Sequence, residues 1–177
     1  FCEGYVREYF GLPFVRFLPG SIFYQFIEWK EEKEAKNYPG FSQAEYQLHL
    51  ADKRLEEIRN LIDRGEEKRE LYSKTLDKLD SEILQAIQAV EQAEKEGMNM
   101  YLSWQKISEH LSSLSLHLNT FVQRKIPGEI FEEIDDANLR VEKYKHDIQK
   151  HIWYSEDLQT KRFVYSIPFP AEYKLFY

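Results

Sequence analysis

A single cysteine, Cys2, stands in the 177-residue chain. One thiol excludes an internal disulfide and leaves too few thiolates for a cysteine-based zinc site. A free structural thiol in an intracellular, reducing compartment is the expectation. Basic runs are short, the longest being pairs such as Arg124-Lys125 and Lys161-Arg162, and the formal net charge is −7. A nucleic-acid binder presents a basic face or stripe, so no nucleic-acid partner is expected. Long apolar runs are scarce too. The most apolar stretch, FGLPFVRFLPGSIFYQFIEW (residues 10–29), is interrupted by Pro13, Arg16, Pro19 and Gly20. A membrane span needs about twenty mostly apolar residues, so the stretch suits surface contact with a membrane better than passage through one. The opening FCEGYVREYF lacks a basic start before an apolar run, and no signal peptide is expected there.

Catalytic motifs are missing as well. The chain has no G-x-G-x-x-G, no G-x-x-x-x-G-K-S/T and no G-x-S-x-G, the patterns that cradle phosphates or raise a nucleophile. Glu45 and His49 are four apart, as are Glu142 and His146, but no Glu-x-x-His occurs, which a carboxylate-bridged di-iron bundle requires. His110 and His117 lie beside the apolar positions Leu111 and Leu118. All five histidines are therefore expected at the surface, with no metal and no cofactor. The runs RGEEKRE (64–70) and EIFEEIDD (129–136) read as solvated faces. Nothing points to an enzyme.

What is present is charge, helix-forming composition and period. Charged residues make up 31% of the chain, with only seven glycines and six prolines, a composition that fits long helices and coiled coils. Aromatic residues divide it: thirteen lie in residues 1–46, eight in 153–177, and six between. Aromatic side chains dominate cores, so the two ends are expected to form a small aromatic head on a thinner middle.

Ser21 can cap a short helix from Ile22 to Lys36, with Ile22, Phe23, Phe26 and Ile27 as its apolar face and NYPG (37–40) as its stop. Ser42 and Glu45 then have the spacing of a capping box, with Phe41 and Tyr46 at the positions of a hydrophobic staple. From there apolar residues recur in steps of four and three: Ala44, Leu48, Ala51, Leu55, Ile58 and Ile62, then Tyr72, Leu76, Leu79, Ile83, Ala86, Val90 and Ala93. That is a heptad seam, which a partner helix must cover. Gly65 and Arg69 fall on the seam and read as tolerated defects.

Beyond Gly97 the same phase continues through Met100, Trp104, Ile107, Leu111, Leu114, Leu118 and Phe121. One straight helix to Ile126 would explain the phase. A turn at Gly97 would explain the lengths. The outgoing arm of about 55 residues and the return pieces of about 60 then match at roughly 80 to 90 Å, and the aromatic ends meet. The expected fold is thus all-α: a long antiparallel coiled-coil hairpin over residues 42–160, with its tip near 97–99 and a break at Pro127-Gly128. Residues 1–41 form an aromatic N-terminal segment. Residues 161–177 form an extended aromatic C-terminal arm, since Phe163, Tyr165 and Ile167 alternate before Pro168 and Pro170.

The function expected of such a molecule is that of a non-enzymatic structural or adaptor protein, a coiled-coil subunit of a larger assembly. Its partners would be other protein subunits or a second copy of the chain. Methionine adapts to irregular partner surfaces, so Met98, Met100 and Tyr101 are candidate contacts at the tip. Phe169, Tyr173, Phe176 and Tyr177 are candidates in the tail. The alternatives are a peripheral membrane protein docking through residues 10–29, or a regulatory accessory subunit of an enzyme.

Overall fold

The structure is a computed structural model that describes residues 12, 13, 15, 17–38, 41–124 and 126–166; at 41 and from 154 onward only the backbone is described. Among these residues it is all-helical. The elements are α1 (Tyr24–Ala35), α2 (Phe41–Asp63), α3 (Arg69–Lys95), α4 (Tyr101–Val122) and α5 (Gly128–Ser166).

The apolar seam forms the core. Leu48, Leu55 and Ile58 of α2, Tyr72, Leu79 and Ile83 of α3, Trp104, Ile107 and Leu118 of α4, and Ile134, Val141 and Ile148 of α5 belong to one buried cluster. The seam is not a continuous line, however. α2 stops at Asp63, and Gly65 takes a φ of +65°. The Gly65 N–H donates to the Ile62 carbonyl (2.9 Å) and the Glu66 N–H to the Leu61 carbonyl (3.0 Å). Gly97, with a φ of +87°, repeats the pattern: its N–H donates to the Glu94 carbonyl (2.9 Å) and the Met98 N–H to the Ala93 carbonyl (3.1 Å). Both are Schellman terminations, in which a left-handed residue lets the last carbonyls find partners. An L side chain pays about 1–2 kcal/mol for that conformation, and glycine escapes it.

The chain therefore turns at Gly97, and a straight helix to Ile126 is excluded. The 55-residue outgoing arm is corrected as well, because Gly65 is a stop and not a defect. A shared heptad phase does not imply a shared axis: each helix needs an apolar stripe of its own, whichever way it runs.

α2 packs along α3 and α4 along α5, while α3 also lies against α5 and α2 against α4. Ion pairs fix the directions. Glu45–Lys106, Asp52–His110 and Asp63–Arg124 climb α2 and α4 together, so those two helices are parallel. Arg69–Glu133, Asp80–Arg140 and Glu94–His151 do the same for α3 and α5. The result is two antiparallel hairpins laid side by side as a four-helix bundle. At 1.5 Å per residue α3 spans about 40 Å, half the length of the expected rod.

The end signals need correction. The N-cap of α1 is Phe23 without a side-chain cap bond, and the Ser21 contribution is its carbonyl, which accepts the Tyr24 N–H at 3.0 Å. α2 begins at Phe41, so Ser42 lies inside its first turn, and Glu45 pairs with Lys106. α5 reaches Ser166, so residues 161–166 are helical and not extended. Most of the expected aromatic head, residues 1–11 and 167–177, lies outside the described residues.

Candidate docking surface and the charge cluster beneath it

α1 carries two stripes. Tyr24, Glu28, Glu31 and Ala35 follow steps of four, three and four; Phe26, Trp29 and Lys33 follow steps of three and four, with Ile22 and the N-cap Phe23 just ahead of the helix. A two-residue offset is about 200° around a helix, so the stripes lie on opposite sides. The polar stripe is the one that faces the bundle: Tyr24, Glu31 and Ala35 are buried. The apolar stripe faces solvent. Ile22 is 92% exposed, and Phe23, Phe26 and Trp29 are more than half exposed.

Two aromatic pairs lie on this side. The Phe26 and Trp29 rings are 5.9 Å apart, Phe17 and Phe23 are 5.6 Å apart, and the Lys33 ammonium stands 5.3 Å over the Trp29 ring. At roughly 150–250 Å² per large side chain, the exposed area is on the order of 500 Å². Patches of that size on soluble proteins are commonly functional.

The inner stripe closes on a buried charge cluster centred on Arg54 of α2. Its Nε donates to Glu82 of α3 at 3.0 Å, and its Nη1 donates to Glu57 at 2.7 Å and to the Tyr24 hydroxyl oxygen at 3.1 Å. Its Nη2 donates to Glu31 at 2.5 Å. The Tyr24 hydroxyl donates to the other Glu57 oxygen at 2.6 Å. Lys53 pairs with Glu31, and Lys78 with Glu28. Tyr38 stacks on Tyr46 of α2, and the Tyr46 hydroxyl donates to Glu34 at 3.0 Å. α1 is thus seated largely by charge and hydrogen bonds.

Burial and opposing charge pull the carboxyls apart. Burial pushes Glu82 up to about 7 against the pull of Arg54, and Glu31 and Glu57 add to the rise. Burial also raises Glu57 above the usual range despite Arg54. Glu31 is raised by burial too, but Arg54 and Lys53 outweigh it and hold its carboxyl below that range. A cleft of about 400 Å³ opens beside the cluster, lined by Glu28, Glu31, Gln47, Lys78, Glu82 and Gln85 among others. Most of its lining residues are charged or carry amides, and among the described residues no group of three or more His, Cys, Asp or Glu is placed to hold a metal ion.

The sequence candidates fare unevenly. Met98 is exposed, Met100 is buried in the core, and Tyr101 is half-buried with its hydroxyl oxygen accepting from Gln105 at 2.7 Å. The turn therefore presents Met98 with Leu102, not the two methionines together. Phe169, Tyr173, Phe176 and Tyr177 lie outside the described residues. The surface assignment holds for His49 and His146. It fails for His117, which is buried and whose pKa burial lowers. His110 and His151 are intermediate, paired with Asp52 and Glu94, and His151 stacks on Trp104 at 4.6 Å. Arg54, Glu57 and Glu82 were not distinguishable in the sequence from solvated positions beside the seam.

No helix among the described residues is long and apolar enough to cross a membrane. No curated protein and no solved structure matches the chain. One family model does match, over residues 16–136. That span contains α1, the Arg54 cluster, α2, α3, α4 and the start of α5. It covers well over half of the chain, which belongs to the family described as Domain of unknown function (DUF5667).

Proposed function

We propose that this protein is a non-enzymatic adaptor, a helical subunit of a larger protein assembly that docks through the outer face of α1. The observation that carries the reading is the orientation of α1: its aromatic stripe is turned away from the bundle while its charged stripe is buried. Exposing Ile22, Phe23, Phe26 and Trp29 to water gains nothing for folding. Aromatic anchors of this kind supply most of the energy of protein interfaces.

A photo-reactive amino acid at position 26, with a control at the exposed Lys143 on α5, tests the reading in the native host. The expected result is a discrete protein adduct at 26, absent at 143 and lost on Trp29→Ser. Equal adducts at both positions, or none at 26, would overturn it.

Lys30, Lys33 and Lys36 run beside the aromatic residues, which favours one second reading. Aromatic side chains with flanking lysines suit a helix lying in a membrane interface. Flotation of the purified chain with vesicles, lost on Trp29→Ser, would assign the same face to lipid.

A further inference from the structure

We propose that the Arg54 cluster is a proton-held latch: one proton on Glu82 balances the buried charges and clamps α1 to α2 and α3, and its loss loosens α1. As regulation of the docking face this rests on the adaptor reading; as a device of the fold it stands by itself.

The geometry sets the balance. α1 contributes Tyr24, Glu28 and Glu31, α2 contributes Lys53, Arg54 and Glu57, and α3 contributes Lys74, Lys78 and Glu82. Lys74 and Lys78 are turned to Glu28 and to the Tyr24 ring, at 6.0 and 5.4 Å from its centre. Lys78 neutralises Glu28, and Lys74, half exposed and 3.9 Å from the same carboxylate, keeps its charge in solvent. The buried group is then Arg54 and Lys53 against Glu31, Glu57 and Glu82, two positive charges facing three carboxyls. One carboxyl is in excess. Every oxygen of Glu31 and Glu57 has a donor, but Glu82 Oε2 is buried with none. A buried carboxylate oxygen without a partner costs free energy, and a proton on Glu82 removes the excess charge.

The sign follows from burial. Because the folded chain raises Glu82 to about 7 from an ordinary 4.5, the proton's contribution is complete below about pH 4.5. It is lost as pH rises towards 7 and is unchanged above that. Glu57 is shifted in the same direction, so it reinforces the effect. Glu31 is shifted the other way, so its pairing with Arg54 fails only on the acid side. The latch is tightest in mildly acidic solution and looser at neutral pH.

Hydrogen exchange of the α1 peptide in the intact chain reads the latch without any partner. Rates at pH 5, 6, 7 and 8 are corrected for intrinsic exchange and compared with those of α4. In the wild type, α1 protection should fall by up to about tenfold per pH unit between 5 and 7 and then level off. Glu82→Gln, which mimics the protonated acid, should hold α1 protected and flatten the profile. A flat wild-type profile, or an unchanged slope in Glu82→Gln, would overturn the latch. Should Glu82→Gln lose α4 protection as well, carbon-13 titration of the wild-type Glu82 carboxyl decides. A midpoint near 7 supports the latch and one below 5 overturns it. Failure here leaves the photo-crosslinking result untouched, and the reverse also holds.

Discussion

α1 and α4 turn opposite kinds of side chain to the bundle. α4 buries Trp104, Ile107, Leu111, Leu114 and Leu118, each worth roughly 1.5–3 kcal/mol of removed apolar surface. α1 buries Tyr24, Glu31 and Ala35 and leaves Phe26 and Trp29 in solvent. Apolar burial is strong and indifferent to direction. A buried ion cluster gives little net stability, because desolvation consumes most of its attraction, but it is costly to break one charge at a time. The bundle is therefore held firmly. α1 is placed specifically, with its aromatic face left available.

The largest effect should come from the firm region. Leu55 is fully buried at the α2 seam. Leu55→Asp loses its apolar contacts and buries an unpaired charge, which should exceed about 5 kcal/mol and unfold the chain. Circular dichroism showing a native helical spectrum and an unchanged denaturation midpoint would contradict the bundle core.

Arg54→Met comes next. It strands Glu31, Glu57 and Glu82 without their shared cation, and removing one member of a buried ion cluster costs about 3–5 kcal/mol. Adding Glu31→Gln, Glu57→Gln and Glu82→Gln to that variant should recover much of the loss in urea denaturation, since the penalty is one of charge. A fourfold variant as unstable as Arg54→Met alone would show that the cluster acts through packing.

The two regions also differ in how legible they were. Every seam residue from Ala44 to Ile58 and from Tyr72 to Ala93 is buried, because a heptad pattern reports burial directly. The break at Gly65 was hidden by the same pattern: the phase carries across it by way of Arg69, an exposed residue paired with Glu133. Gly65 and Gly97 make the same termination, and only Gly97 reads as a turn, because a turn there makes the arm lengths match. α1 misleads in another way. Ile22, Phe23 and Phe26 read as the inward face, since periodicity locates a stripe but not the side that packs. Arg54 and Glu57 precede seam residues Leu55 and Ile58, where charge ordinarily means solvent. Their burial depends on the Tyr24 and Glu31 stripe arriving from another helix, which no local pattern encodes.

A smaller effect tests the glycine stops that fold the bundle back. A Cβ at Gly65 or Gly97 would meet nothing within 4 Å, so any cost is backbone strain alone. Gly65→Ala and Gly97→Ala should each lose about 1–2 kcal/mol with the helix content kept. Stability unchanged within about 0.3 kcal/mol in denaturant titration would mean that the stops tolerate another geometry.

The smallest effect belongs to the most conspicuous residues. Trp29 and Phe26 are large, aromatic and in mutual contact, and intuition would place them in the core. Their exposure of 56% and 64% argues otherwise. Exposed substitutions away from caps, cavities and charge networks fall within about ±0.5 kcal/mol. Phe26→Ser with Trp29→Ser should therefore leave the denaturation midpoint almost unmoved, and the α1 exchange profile with it, because Tyr24, Glu28 and Glu31 on the opposite stripe are intact. The same double variant should abolish the photo-crosslinked adduct when the reactive group is moved to Ile22, the most exposed of the four. A loss above about 1.5 kcal/mol in the isolated chain would show that these rings are already covered by something within the protein itself. The outward face of α1 would then be a second packing surface, and the contrast with α4 would disappear.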